Sequence, residues 1–184
     1  MKTSHEKTQS GKILLGVTGS VAAKLTEKML NELPIEELVV TQSALMFLPY
    51  HLQEVASVES DERIYYATSN AVYHIDLIKK FDLLLIAPLT ANTLAKIANG
   101  LCDNLLTNIV RAWPQDKPVV ICPAMNVHMW NHPLTKKHLD VCKELGYTIV
   151  EPIEKELFCK DVGVGAMARI ETIKEVVNNV LGKT

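Results

Sequence analysis

Pro123-Ala124-Met125-Asn126-Val127-His128-Met129-Trp130 combines residue types able to hold a small polar ligand against an apolar wall. Asn126 offers an amide that both donates and accepts hydrogen bonds. Met125, Met129 and Trp130 place polarizable and flat apolar surface beside it. The stretch follows Lys117-Pro118-Val119-Val120-Ile121-Cys122, an apolar run led in by proline that reads as a buried parallel strand. Pro123 stops that strand because it has no N–H for the ladder. A chain leaving the carboxyl end of such a strand passes the crevice where open α/β sheets bind ligands. An ordinary strand-to-helix turn with a few core side chains would look the same, so the rest of the chain has to decide.

Comparable groups recur where other strands end. Thr18-Gly19-Ser20-Val21 follows the apolar run Lys12–Val17 and opens an alanine-rich helix. Gly19 lets the backbone approach an anion, and Ser20 with the first free helical N–H groups can cradle a phosphate. Ser20 would equally serve as a plain helix cap. The dinucleotide fingerprint GxGxxG is absent. Thr41-Gln42-Ser43 brings hydroxyls to the end of a second run, Glu36–Thr41, which makes a mononucleotide phosphate pocket a firmer expectation. Thr90 and Asn92 do the same after Leu83–Ala87, a strand expected to end at Pro88. His74 opens a short helix, and a histidine side chain suits general-base chemistry, although a histidine there more often caps or packs. Cys159 lies in Leu157–Ala168, which has neither helical nor strand periodicity and reads as a flap made mobile by Gly163 and Gly165.

The elements that must position these groups alternate strand and helix along the chain. Helices are expected to Asn31, over 74–80, from about Thr90 to Gly100, from Asp103 or Asn104 to Trp113, over 133–145 and over 170–181. Tyr147–Val150 is expected as a last strand. That alternation argues an α/β fold with three layers, a Rossmann-like or flavodoxin-like parallel sheet with helices on both faces. Between Leu48 and Tyr73 the periodicity fades, and an irregular stretch of that length is usually functional or an interface. The 184 residues suit one full-sized core, read as a single domain over 12–184 with the flap at about 152–168, after a polar, disordered tail at 1–11.

Composition excludes several classes. With 48% apolar and 22% charged residues the chain is globular, and a net charge of −2 gives no cause to expect nucleic acid or an anionic membrane. No apolar run reaches the length of a bilayer span, and the start lacks an apolar signal core. Cysteines at 102, 122, 142 and 159 form no CxxC pair and accompany no histidine cluster at metal spacing. Three of them fall in helical or strand patterns. A reducing cytoplasm, with neither disulfide framework nor metal site, is the expectation.

Four pieces in order, the Gly19-Ser20 turn, Ala87–Thr107, Pro123–Trp130, and Cys159 with Gly163-Val164-Gly165-Ala166-Met167-Ala168, joined by His74 before the third strand, resemble the flavin-dependent cysteine decarboxylases. The resemblance runs from about Lys12 to the final helix. It implies FMN held by Gly19, Ser20, Val21, Thr41, Ser43, Thr90, Ala91, Asn92, Thr93, Ala124 and Met125. It implies His74 as the active-site base, Cys159 as the acid in the closing flap, and Asn126, Phe158 and Met167 as substrate contacts. Family members form homotrimers or dodecamers built of trimers, with the flavin between subunits, which would give 48–73 an interface role.

The chemistry so implied is decarboxylation of 4′-phosphopantothenoylcysteine to 4′-phosphopantetheine in coenzyme A biosynthesis. Oxidising the cysteine thiol to a thioaldehyde creates the electron sink that loss of carbon dioxide requires, and a flavin supplies that redox chemistry. Within the resemblance Cys159 argues for the full cycle, because decarboxylases of peptides ending in cysteine stop at the unsaturated enethiol. The chain departs from the family pattern at Glu156, where a lysine is common, at Lys160, where glycine is usual, and at Arg169, where an acid is usual. The basic pair that commonly follows the histidine is shifted to Lys79-Lys80. Lys155, Lys160 or Arg169 would then meet the substrate phosphate. A peptidyl-cysteine decarboxylase is the alternative, and a phosphatase-regulating flavoprotein a further one.

Overall fold

A computed structural model describes residues 11–156 and 162–182. Five strands form one parallel sheet in the order β2-β1-β3-β4-β5: β1 Ile13–Val17, β2 Ile35–Val40, β3 Leu83–Leu89, β4 Val119–Pro123 and β5 Thr148–Ile149. This is the doubly wound arrangement whose ligand crevice lies beyond the carboxyl ends of the strands, where the order reverses between β1 and β3.

Side chains alternate between two cores, as the period of a strand requires. Ile13, Leu15, Val17, Leu83, Leu85, Val120 and Cys122 pack on one face, against the short 3-10 helices Val21–Leu25 and Gln42–Phe47 and the helix Ile170–Leu181. Leu14, Leu84, Ile86, Val119 and Ile121 pack on the other. That second face is covered by α4 (Tyr73–Lys80), α5 (Ala91–Ala98), α6 (Leu105–Ala112) and α8 (Pro133–Glu144). Both faces are therefore dry, which explains why β1, β3 and β4 read as continuous apolar runs. α1 (Thr26–Glu32) continues the first 3-10 helix, and the terminal helix is α9.

Three expectations need correction. The 48–73 stretch is not irregular: α2 spans Tyr50–Val55 and α3 spans Glu59–Ser69. Its helical period is faint because Tyr50, Val55, Ile64 and Tyr66 stay exposed, so no apolar stripe marks a buried face. β3 does not stop at Pro88 but runs to Leu89, with a register shift between Ile86 and Leu89 that moves Leu89 onto the second core. The flap segment is not without strand structure: β6 (Ile153–Glu156) pairs antiparallel with β7 (Val162–Ala166). Its glycines hide the alternation, since Gly163 and Gly165 present no side chain to either face. Residues 157–161, including Phe158 and Cys159, and the first ten residues of the expected tail lie outside the described residues. Of the remaining cysteines, Cys122 and Cys142 are buried in β4 and α8, whereas Cys102 is exposed between α5 and α6.

Candidate active site

The two ends of the motif that opened the sequence reading are pinned differently. β4 ends at Pro123, and the Ala124 N–H donates to the Leu89 carbonyl at 2.9 Å, carrying the ladder one residue past the strand. The Met125 N–H then donates to the Gly165 carbonyl at 2.9 Å, tying the turn to β7. A Cβ at position 165 would fall on the Met125 carbonyl oxygen, so only glycine allows this approach. Asn126 begins the one-turn helix α7 (Val127–Trp130), and its side-chain oxygen accepts from the His128 N–H at 2.8 Å. That bond fixes which end of the amide is the carbonyl and so orients the NH2 end.

The hairpin, the Ala124–Asn126 turn, the first 3-10 helix and the start of α9 enclose a cavity of about 620 Å³. Its floor is apolar and buried: Ala124, Met125, Met167, Ala168 and Ile170. Its mouth is charged and exposed, with Lys24, Lys28, Lys155 and Arg169 set against Glu156 and Glu171. Lys28 bonds Glu171 at 3.1 Å; Glu171's own backbone N–H and then Lys28 hold that carboxyl below its ordinary range, while Glu171 raises the Lys28 ammonium.

Of the residues singled out from sequence, Ser20, Val21, Ala124, Met125, Asn126 and Met167 line this cavity. Gly19, Thr41 and Ser43 form a second group at the ends of β1 and β2. A Cβ on Gly19 would lie 2.5 Å from the Ser43 hydroxyl oxygen, and the Thr41 and Ser43 hydroxyls lie 3.2 Å apart. Ser20 accepts from the Ala22 N–H at 3.3 Å, which leaves its own hydroxyl hydrogen to donate elsewhere. Neither 3-10 helix has an acid in its first turn. Thr90 caps α5 by accepting from the Thr93 N–H at 3.4 Å, and Thr93 is buried behind it. The Thr90–Thr93 run is not part of the cavity wall.

His74 sits in the first turn of α4, on the opposite face of the sheet from the 3-10 helix and α9 that build the cavity, and it does not line it. Its helix is braced nearby: the Tyr65 hydroxyl donates to Asp76 at 2.9 Å, and the Tyr73 and Ser57 hydroxyls lie 2.8 Å apart. One residue escaped the sequence reading. The buried Thr18 hydroxyl donates to the Pro88 carbonyl and accepts from the Thr90 N–H, each at 2.8 Å, clamping the ends of β1 and β3 together. Its only signal is a hydroxyl directly before Gly19. Among the described residues no cluster of His, Cys, Asp and Glu could hold a metal ion, and no helix is long and apolar enough to cross a membrane.

A family model described as Flavoprotein matches residues 1–182. The chain belongs to the Flavoprotein family. The chain is 44% identical over 179 residues to phosphopantothenoylcysteine decarboxylase of Mus musculus, covering 94% of this chain and 88% of that protein. Among solved structures it resembles a cysteine-to-serine variant of a PPC decarboxylase complexed with pantothenoylaminoethenethiol, at a TM-score of 0.88 and 41% identity. That match covers 96% of this chain and all of the other. The FMN binding protein AtHal3 matches with a TM-score of 0.85 at 42% identity over 96% of this chain and 99% of that one.

Proposed function

We propose that the chain is an FMN-dependent carboxy-lyase that converts 4′-phosphopantothenoylcysteine to 4′-phosphopantetheine, a step of coenzyme A biosynthesis. The observation that carries this reading is the Met125-to-Gly165 hydrogen bond. It joins the Asn126 turn and the hairpin, motifs far apart in sequence, into one wall of one cavity. The identity to the mouse decarboxylase along nearly the whole chain supports it.

The residues present fit FMN. Ser20, Thr41 and Ser43 gather hydroxyls beside a glycine, with no carboxylate in the turns that carry them, which is the donor set a phosphate needs. Val21, Ala124 and Met125 add apolar surface for a ring, and Thr90, Ala91, Asn92 and Thr93 complete the holding set. When bound, the flavin supplies reversible two-electron chemistry, so that the substrate thiol is oxidised for decarboxylation and the product is returned to the starting oxidation level.

The chain's own residues then bind, orient and move protons. Asn126 aligns the substrate carboxylate with its NH2 end, over the floor formed by Met167. His74 takes a proton from the thiol. Carbon dioxide leaves the thioaldehyde to give an ene-thiolate, because the C=S group accepts the electron pair released by the broken C–C bond. Cys159 donates the proton that completes the saturated product, and Phe158 is a substrate contact.

His74 reaches this cavity from a neighbouring copy in the active assembly, a homotrimer or a dodecamer of trimers. Its place behind the sheet and the exposed Tyr50, Val55, Ile64 and Tyr66 on α2 and α3 support a site shared between subunits. Residues 12–184 act as one flavoprotein unit, and the buried free thiols Cys122 and Cys142 suit the reducing cytoplasm. The test is carbon dioxide release and product mass from phosphopantothenoylcysteine and from a peptide ending in cysteine, with flavin-loaded protein. A protein that takes up no FMN, or that acts on the peptide alone, refutes the proposal.

A further inference from the structure

The cavity's charges are unevenly arranged. Its floor is apolar, whereas its mouth carries four cationic side chains, Lys24, Lys28, Lys155 and Arg169, against two carboxylates, Glu156 and Glu171. The whole chain has a net charge of −2, so this rim has the sign opposite to that of the molecule. Lys28 is engaged with Glu171 at 3.1 Å and Glu32 at 3.6 Å. Lys155 and Arg169 make no side-chain hydrogen bond or ion pair within the described residues. They stand on separate elements, β6 and the residue that precedes α9, and both border the same opening.

We propose that Lys155 and Arg169 recognise the phosphomonoester end of the substrate and so set the preference for phosphorylated over unphosphorylated cysteine conjugates. The inference rests on the reading of this cavity as the substrate site. A conjugate with its cysteine end beside Asn126 directs its other end to the mouth, where these two cations hold no side-chain hydrogen bond or salt bridge among the described residues, Arg169 acting on Glu171 through its charge alone. Arginine's planar fork suits two phosphate oxygens, and lysine adds a point charge. The Lys28–Glu171 pair keeps the remaining acid at this edge turned to an internal partner.

The experiment compares kcat/KM for phosphopantothenoylcysteine and for pantothenoylcysteine in the wild-type holoenzyme and in K155A/R169A and K155Q/R169Q. Flavin content and thermal midpoint establish that the variants are folded. Calorimetric binding of 4′-phosphopantetheine and of pantetheine gives a readout independent of turnover. The expected result is a loss of at least about 30-fold in the preference for the phosphorylated substrate, as removal of two charge-assisted hydrogen bonds implies. The same preference should be lost in product binding, and the dependence of KM on ionic strength should flatten. An unchanged ratio, or an equal loss on both substrates, overturns the proposal. So does a loss of flavin affinity with the ratio intact, which would assign these cations to the cofactor's phosphate. A wild-type holoenzyme that decarboxylates neither conjugate would instead overturn the underlying functional reading, and this inference with it.

Discussion

Gly165→Ala should separate the hairpin from the Asn126 turn while leaving the rest of the sheet intact. The added methyl would fall on the Met125 carbonyl oxygen, which is backbone and has no rotamer to yield. Relief requires β7 to move away, and that movement breaks the 2.9 Å bond from the Met125 N–H to the Gly165 carbonyl. Met125 is only 9% exposed, so its N–H loses a partner in a site where water cannot easily replace it. A buried donor left unsatisfied costs about 1–3 kcal/mol, and overpacking of a tight contact costs a similar amount. Because one displacement relieves the overlap and breaks the bond, the two penalties do not add, and about 2–3 kcal/mol is the working figure. On catalysis that corresponds to a fall of roughly 30- to 150-fold in kcat/KM. If the strain is felt globally, it corresponds to a loss of about 4–12 °C in thermal midpoint for a chain of this size. Gly163→Ala is the control. Its methyl would meet the Val127 side chain at 2.6 Å, and Val127 is half-buried and able to shift, so about 1 kcal/mol is expected. The assays are steady-state carbon dioxide release, calorimetry, and hydrogen exchange at the Met125 amide. Wild-type activity and midpoint in Gly165→Ala, or a Gly163→Ala enzyme more impaired than Gly165→Ala, would refute the reasoning.

The Thr26 hydroxyl is buried with no hydrogen-bond partner among the described residues, so Thr26→Val should raise the thermal midpoint by about 2–4 °C, corresponding to about 1 kcal/mol. A lower midpoint on calorimetry would mean that the hydroxyl has a partner. In a Cys159→Ser background, a thiol reagent under native conditions should titrate Cys102 rapidly and reach Cys122 and Cys142 only on unfolding. Burial pushes the Cys142 thiol from 9.0 to about 11, so its stabilising contribution is complete below pH 9 and lost as pH rises through 11. Urea midpoints between those values should therefore fall more steeply for wild type than for Cys142→Ala. Finally, Cys159→Ser should retain an oxidised, decarboxylated ene-thiol on the enzyme, detectable by mass, and normal release of saturated product would remove Cys159 from its role.

How much of this was legible before the structure depends on where the signal lay. Strands β1, β3 and β4 were visible because both faces are buried, so every position is apolar and neighbouring residues agree. The hydroxyl-bearing turns were visible because capping and phosphate binding call on the same residues at the same places. α2 and α3 were not, since their apolar side chains point outward and no period survives. The hairpin was missed for the opposite reason: glycine erases alternation where the backbone approaches another chain segment most closely. Thr18 shows the general limit. Its hydroxyl bonds across the sheet to Pro88 and Thr90, and nothing local announces a contact made with residues so distant in the chain. The same holds for the cavity, where the Met125 N–H to Gly165 carbonyl bond ties the Asn126 turn to the hairpin in one wall. Local chemistry named the groups, and long-range hydrogen bonds decided which of them meet. His74 marks the boundary of what one chain can assemble: it does not line the cavity, so the proposed role as base requires that it enter from another copy, and a mixed assembly of His74→Asn and Asn126→Asp chains should then recover activity that neither parent has.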